Sequence, residues 1–394
     1  MQIGLIGLSY SGKTTLFQTL TQIHLDASAG AKRESNQAIV KVPDARLDLL
    51  TNIFNPKKKV NATIEIVDIV GVQKGDRTSS QFNSQFIQKV KTNDALIHIV
   101  RGFEDDAVPH SEGSIDILRD INIMNDELLL TDLAFVESRL EKLEKDLMKQ
   151  KNKDEAKREI DEMKRWHEAL EQNIPLRELD FPDDEQKKFL KNYQPLTVKP
   201  LLIAVNFSEN NVSESEKIIA EIRNHLRLGE HSEANHSGLP RTSNEVLAMT
   251  AGKQRNDGNN KKVQVEPFFA KIELELSQLS VEEKNIFMEE YGLKDSPLDR
   301  MISSAYHLLG LQSFFTVGED ETRAWTIKKG MTAQEAAGVI HTDFYNKFIR
   351  AEVVGYDDFI EAGTLAKCKE KGVLRLEGKE YICLDGDILN IRHG

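Results

Sequence analysis

The chain has 394 residues, 39% of them hydrophobic and 29% charged; this is an ordinary globular balance, and the length predicts two or three domains. A net charge of −12 argues against nonspecific nucleic-acid binding through a globally basic surface, and no sequence-specific DNA binding is expected. No apolar run approaches the ~18 residues that cross a bilayer. The opening Met1-Gln2-Ile3-Gly4-Leu5-Ile6 is strand-like rather than a charged and apolar leader, so no membrane is expected and the compartment reads as cytoplasmic. Cys368 and Cys383 are too few for a disulfide framework or a four-ligand zinc site and read as packing thiols in a reducing compartment.

The apolar run at 3–6 ends in Gly7-Leu8-Ser9-Tyr10-Ser11-Gly12-Lys13-Thr14, which fits G-x-x-x-x-G-K-[ST] with a strand before it and a helix beginning near Thr14. Glycines let backbone N–H groups approach phosphate oxygens, so Ser9, Tyr10, Ser11, Gly12, Lys13, Thr14 and Thr15 are the expected nucleotide contacts. Lys13 would hold the β- and γ-phosphates, and the Thr14 hydroxyl would ligate Mg²⁺. A second run, 64–70, closes in Asp68-Ile69-Val70-Gly71. Asp68 is the expected acidic partner of the metal, and the Gly71 N–H the expected γ-phosphate contact. Beyond Lys13 and Gly71 no catalytic residue is assigned.

Runs at 95–100 and 201–205 complete a set of buried strands separated by helix-length segments, the pattern of a mainly parallel α/β sheet. Between them, Leu129, Leu133, Val136, Leu140, Leu143 and Leu147 are spaced 4-3-4-3-4, and Ala156, Ile160, Met163, His167 and Leu170 repeat the spacing after a polar stretch at 150–154. Two such helices fold back as an antiparallel coiled-coil hairpin inserted in the α/β domain, with His167 a seam position rather than a ligand.

After 201–205 comes Asn206-Phe207-Ser208-Glu209, where GTPases of this architecture carry Asn-Lys-x-Asp to read the base. Glu209 is one methylene longer than Asp, and Phe207 stands in place of Lys, so guanine selection is expected to be weak. Residues 229–262, rich in Asn, Ser, Gly and His, read as a long mobile loop. The C-terminal part changes character: a strand at 323–327, a helix capped by Thr332 and a hairpin around Glu377-Gly378 within 374–383 predict a small α+β module.

Together these motifs resemble the YchF family of Obg-like ATPases, a translation-factor-class branch of the P-loop NTPases, over nearly the whole length. Besides the phosphate loop, the resemblance rests on Val42-Pro43-Asp44 with Leu47-Asp48, on Arg101-Gly102-Phe103-Glu104-Asp105-Asp106, on Glu112-Gly113-Ser114-Ile115-Asp116, on the inserted hairpin, and on Asn206 with Glu209. Arg323-Ala324-Trp325-Thr326 and Ala336-Ala337-Gly338-Val339-Ile340-His341-Thr342-Asp343-Phe344 resemble the family's TGS domain, a β-grasp module; Trp325 and His341 themselves read as packing and turn residues. The resemblance implies a P-loop G domain over 1–126 and 198–280, a helical insertion over 127–197, a helical connector over 281–310 and a TGS-like domain over 311–394.

It further implies an Mg²⁺-dependent switch that hydrolyses the β–γ phosphoanhydride slowly, takes ATP as well as or better than GTP, and associates with ribosomes. Ala270, in Phe269-Ala270-Lys271 at the place of a base-side Ser-Ala-Lys, joins the nucleotide contacts. Several residues depart from the family pattern. Val72 takes the place of a water-orienting glutamine, and Ser9-Tyr10 replace the usual Pro-Asn, whose Asn helps to coordinate a monovalent cation. No Thr stands near Lys32, where the switch-I threonine aligns; Ser28 or Ser35 are the substitutes. Other readings stay open: a nucleotide-binding interaction protein with decayed hydrolysis, a GTP-preferring GTPase, and a metabolic P-loop kinase, which D-x-x-G and N-x-x-E disfavour. Residues 311–394 hold 11 Lys/Arg against 14 Asp/Glu, so the expectation of ribosome association rests on resemblance rather than on charge.

Overall fold

The computed structural model describes residues 1–24, 37–69, 84–146, 153–232, 263–293 and 296–394. Ser28, Lys32, Ser35, Gly71, Val72, Leu147 and residues 233–262 lie outside them. The four apolar runs form β1 (Gln2–Ile6), β4 (Thr63–Asp68), β5 (Ala95–Gly102) and β6 (Leu201–Phe207); β2 (Gln37–Lys41) and β7 (Val263–Phe268) join them, while β3 (Lys58–Val60) belongs to a second sheet. The first sheet has the order β2-β4-β1-β5-β6-β7. All its pairings are parallel except that of β2 with β4. Central parallel strands are covered on both faces, which is why β1, β5 and β6 are almost wholly buried. One face packs Ile3, Leu5, Ile97 and Ile99 on Leu16 and Leu20 of α1 (Lys13–His24) and on Leu47 and Leu50 of α2 (Ala45–Phe54). The other packs Ile6, Leu96, Val100 and Ile203 on Phe86 and Val90 of α3 (Ser84–Thr92) and on α4 (Ile117–Asp146).

Helix α4 serves two cores. Its first half buries Ile121, Met124 and Leu128 against the sheet. Its second half buries Leu129, Val136 and Leu143 against Ile160, Met163 and Leu170 of α5 (Lys153–Glu171), the expected hairpin seam. The residue that fills the seam beside Met163 is Trp166, fully buried with Nε1 donating to Glu162 Oε1 at 2.7 Å. His167 lies beside it, 27% exposed between Glu137 and Glu171. A third helix, α6 (Asp184–Tyr193), adds Phe189 to this core. The chain then returns to the sheet through a buried anchor: Asp132 of α4 accepts hydrogen bonds from the backbone N–H groups of Leu196 and Thr197 and from the Thr197 hydroxyl at 2.7–2.8 Å. Beyond β6, α7 (Val212–Ser232) runs on through Gly229, so the start of the expected loop is helical.

Three helices follow β7: α8 (Ala270–Leu276), α9 (Val281–Glu290) and α10 (Pro297–Leu308). The C-terminal module is built from β8 (Leu311–Thr316), β9 (Glu321–Lys328), β10 (Phe348–Val354), β11 (Arg375–Glu377) and β12 (Ile388–His393). Its sheet has the order β11-β10-β12-β8-β9-β3. The last neighbour is β3, which comes from between α2 and β4 and pairs in parallel with β9, Lys59 opposite Thr322. Thr332 caps α11 (Ala333–Ile340) through a reciprocal capping box with Glu335, as expected.

The hairpin expected around Glu377-Gly378 does not form. β11 pairs antiparallel with β10, and the segment after Gly378 crosses to the start of α11, where the Tyr381 and Met331 carbonyls accept from Ala333 and Cys383. Strand propensity alone does not choose a partner; burial does. Cys383, 1% exposed, sits in the module's core with Phe314, Ile327 and Leu389, a position that a local hairpin would not supply. Among the described residues no helix is long and apolar enough to cross a membrane.

Candidate nucleotide-binding site

The loop after β1 takes its shape from backbone angles that few residues accept. Gly7 has φ 148° and Gly12 φ 100°, and a β-carbon on Gly7 would overlap the Ile99 carbonyl oxygen of the neighbouring strand. Tyr10 also lies in the left-handed region at φ 64°, with a side chain 62% exposed. A non-glycine residue there carries a cost of roughly 1–2 kcal/mol, the kind of strain that collects at functional loops. Because α1 begins at Lys13, its first-turn N–H groups have no partners within the helix, and that turn carries no acidic side chain. The positive end of the helix therefore faces the loop, which suits an anion.

Lys13 is 7% exposed and its ammonium donates to the carbonyls of Gly7 and Leu8, each at 2.7 Å. Burial lowers its pKa to about 8, against the opposing pull of Asp68. A desolvated ammonium gains strongly from an added phosphate charge. Ser11 is buried, and its hydroxyl has no partner among the described residues. Ser9 and Thr15 are half-buried and Thr14 is exposed. Behind the loop, His98 on β5 is fully buried, and neither ring nitrogen has a partner among the described residues. Burial, with Lys13 adding to it, pushes its pKa down to about 3, so it is a neutral packing residue at physiological pH.

The expected base side is held together by one side chain. Asn206, at the end of β6 and 3% exposed, donates from Nδ2 to the Ser11 carbonyl at 3.2 Å, and its Oδ1 accepts from the Ala270 N–H at 3.1 Å. Glu209 opens a single turn of 3₁₀ helix, Glu209–Asn211, and its Oε1 accepts from Lys271 Nζ at 2.7 Å. The structure thus ties Asn206 and Ala270 to the phosphate loop and sets Glu209 beside the turn into α8. Sequence reading placed Lys271 in a base-side tripeptide but gave it no role. Its signal was position: it lies in the first turn of the helix that follows β7, the strand paired with β6, and Glu209 lies just past the end of β6.

Asp68 ends β4 opposite Leu5 of β1, at the edge of the sheet from which the loop springs. Burial raises its pKa, while the Lys13 and Lys89 ammoniums work the other way. A half-buried carboxylate at a strand end suits a cation, and the Thr14 hydroxyl is the second hard oxygen expected for it. Among the described residues no group of three or more His, Cys, Asp or Glu could cage a metal. A site of one carboxylate and one hydroxyl, completed by phosphates and water, suits Mg²⁺ rather than an all-protein ion.

A glycine-shaped loop between a parallel strand and a helix N-terminus, with a buried lysine and an asparagine bridging to the neighbouring turn, defines a P-loop NTPase. Residues 2–130 match the MMR_HSR1 model of 50S ribosome-binding GTPases, and residues 311–394 match the YchF-GTPase_C model, described as a protein of unknown function. The chain is 39% identical over 393 residues to the ribosome-binding ATPase YchF of Bacillus subtilis, covering 99% of this chain and 98% of that one. It is 35% identical over 392 residues to Obg-like ATPase 1 of Caenorhabditis elegans, covering 99% and 91%. The solved Schizosaccharomyces pombe YchF GTPase superposes with a TM-score of 0.78 at 30% identity, over 100% of this chain and 97% of that one. The chain belongs to the YchF/Obg-like ATPase family.

Proposed function

We propose that this protein is an ATP- and GTP-hydrolysing switch that acts on the ribosome in the cytoplasm, with ATP taken as well as or better than GTP. The observation that carries the reading is Asn206, which joins the phosphate loop through Ser11 and the base-side turn through Ala270. The backbone N–H groups from Ser9 to Thr15 receive the phosphates, Lys13 neutralises the β and γ oxygens, and Gly71 contacts the γ-phosphate. Thr14 and Asp68 would hold Mg²⁺, which when bound neutralises charge on the β and γ oxygens. Glu209 faces the base with a carboxylate on a longer arm than Asp would give. Val72 offers no hydrogen bond to an attacking water, so intrinsic turnover is slow.

The ribosome enters because the Bacillus subtilis relative above carries the name of a ribosome-binding ATPase. We divide the chain accordingly into a G domain over 1–126 and 198–280, a helical insertion over 127–197, a connector over 281–310 and a TGS-like domain over 311–394. Titration of the purified protein with ATP and GTP, followed by turnover with and without ribosomes, tests the proposal. Binding of both nucleotides and ribosome-stimulated hydrolysis are expected, and Lys13→Ala abolishes both. Hydrolysis retained in Lys13→Ala would overturn the assignment of the loop. A second reading, nucleotide binding without hydrolysis, is favoured by Val72 and by the missing switch-I threonine; stimulated turnover would remove it.

A further inference from the structure

We propose that Lys271 is a specificity-determining residue which, by holding one oxygen of Glu209, turns the base-facing carboxylate from a two-acceptor group into an acceptor–donor pair and shifts base choice from guanine toward adenine. The inference rests on the reading of Asn206 and Glu209 as the base side of the site. Its physical basis is a contact between residues 62 apart in the chain, Lys271 Nζ to Glu209 Oε1 at 2.7 Å.

Both partners are held by the scaffold. Asn206 and Phe268 are paired across β6 and β7, and the side-chain oxygen Oδ1 of Asn206 accepts the N–H of Ala270, which sets the first turn of α8 and therefore Lys271. Glu209 is set by the 3₁₀ turn, which the Ser208 hydroxyl closes by donating to Asn211 Oδ1 at 2.6 Å. The hydrogen bond and charge of Glu209 hold the Lys271 ammonium above its ordinary range, so it remains a donor throughout the physiological pH range.

The consequence follows from the donor and acceptor inventory. A free carboxylate has acceptors only, and its two oxygens match the adjacent N1–H and N2 amine of guanine as a bidentate pair. Adenine offers it a single donor, the N6 amine, next to N1, a lone pair that a carboxylate repels. With Oε1 taken by Lys271, the pair presents Oε2 as acceptor beside an ammonium donor. This arrangement accepts from N6–H and donates to N1 of adenine, and it weakens the bidentate pairing with guanine, because Oε1 then divides its lone pairs between the ammonium and the base. The side chains of Lys271 and Glu209 are 66% and 34% exposed, so solvent moderates the effect.

The test compares affinities of the full chain for ATP, GTP and ITP, whose hypoxanthine lacks the N2 amine. Lys271→Met is expected to raise the GTP-to-ATP affinity ratio by about fivefold, the scale of one net hydrogen bond, with ITP gaining less than GTP. Lys271→Arg, which keeps a donor on Glu209, retains the wild-type ratio. An unchanged ratio in Lys271→Met, or an equal gain for ITP and GTP, would overturn the proposal. Glu209→Ala separates the two levels of the argument. If it leaves the base ratio untouched, the base-side reading itself falls; if it alters the ratio while Lys271→Met does not, only the role of Lys271 falls.

Discussion

The amide of Asn206 occupies the space that a β-carbon on Gly12 would need, and Gly12 itself stands at φ 100°. Any side chain there must push away the group that ties the phosphate loop to the base-side turn. Gly12→Ala is expected to lower ATP affinity by about 100-fold while the circular-dichroism spectrum stays that of a folded protein. Fluorescent-nucleotide titration checks it, and near-native affinity would show that the Asn206 bridge is dispensable.

Lys13 gives nucleotide binding a pH dependence with a definite sign. Burial lowers its pKa to about 8, and a bound triphosphate favours the charged form, so binding takes up a proton near that pH. Affinity should fall as pH rises through 8 and level off below about 7. Calorimetry in buffers of different ionisation enthalpy at pH 8 reads the proton uptake directly, and a flat affinity between pH 7 and 9 would refute it.

Glu273 lies in the interior of α8, where burial raises its pKa from 4.5 to about 7. It accepts from the Ser296 hydroxyl and from the Leu298 N–H at 2.7 Å, closing the start of α10. An acid whose folded pKa is raised binds more protons folded than unfolded between pH 4.5 and 7, so its contribution to stability falls as pH rises through that window. Glu273→Gln removes this dependence. Relative to the variant, the wild type should lose up to about 3 kcal/mol between pH 5 and 7.5 in urea unfolding.

Arg46 fastens the C-terminal module to α2. Its guanidinium bonds Asp44 and Asp385, each at 2.9 Å, and lies 5.3 Å from the ring centroid of Phe315. Arg46→Ala should cost about 1–2 kcal/mol, tempered by its partial exposure, and should speed amide exchange around 385–387. Arg46→Lys should rescue little, since a point charge does not span two carboxylates as the planar fork does.

Much of the site was legible without coordinates. The strand before Gly7, the lysine at 13, Asp68 at the end of an apolar run and Asn206 after another are local statements, each written in a few adjacent residues whose burial period or backbone freedom has one reading. The hairpin seam was legible for the same reason, although the fully buried Trp166 stands next to the seam position assigned to His167. Short, polar α6 carries no comparable apolar period, and the segment after Glu377 has the composition of a hairpin arm although Cys383 belongs to the core of the whole module.

By itself, then, the sequence determined the four inner strands of the first sheet, the two helices of the hairpin and where a phosphate-shaped loop must stand. Tertiary structure alone decided who meets whom: β3 with β9, Glu209 with Lys271 across 62 residues, Arg46 with Asp385 across 339. Periodicity and backbone angles are properties of neighbouring residues. The partner of a charge or a strand edge is chosen by the packing of the whole chain, where side chains distant in sequence compete for one place.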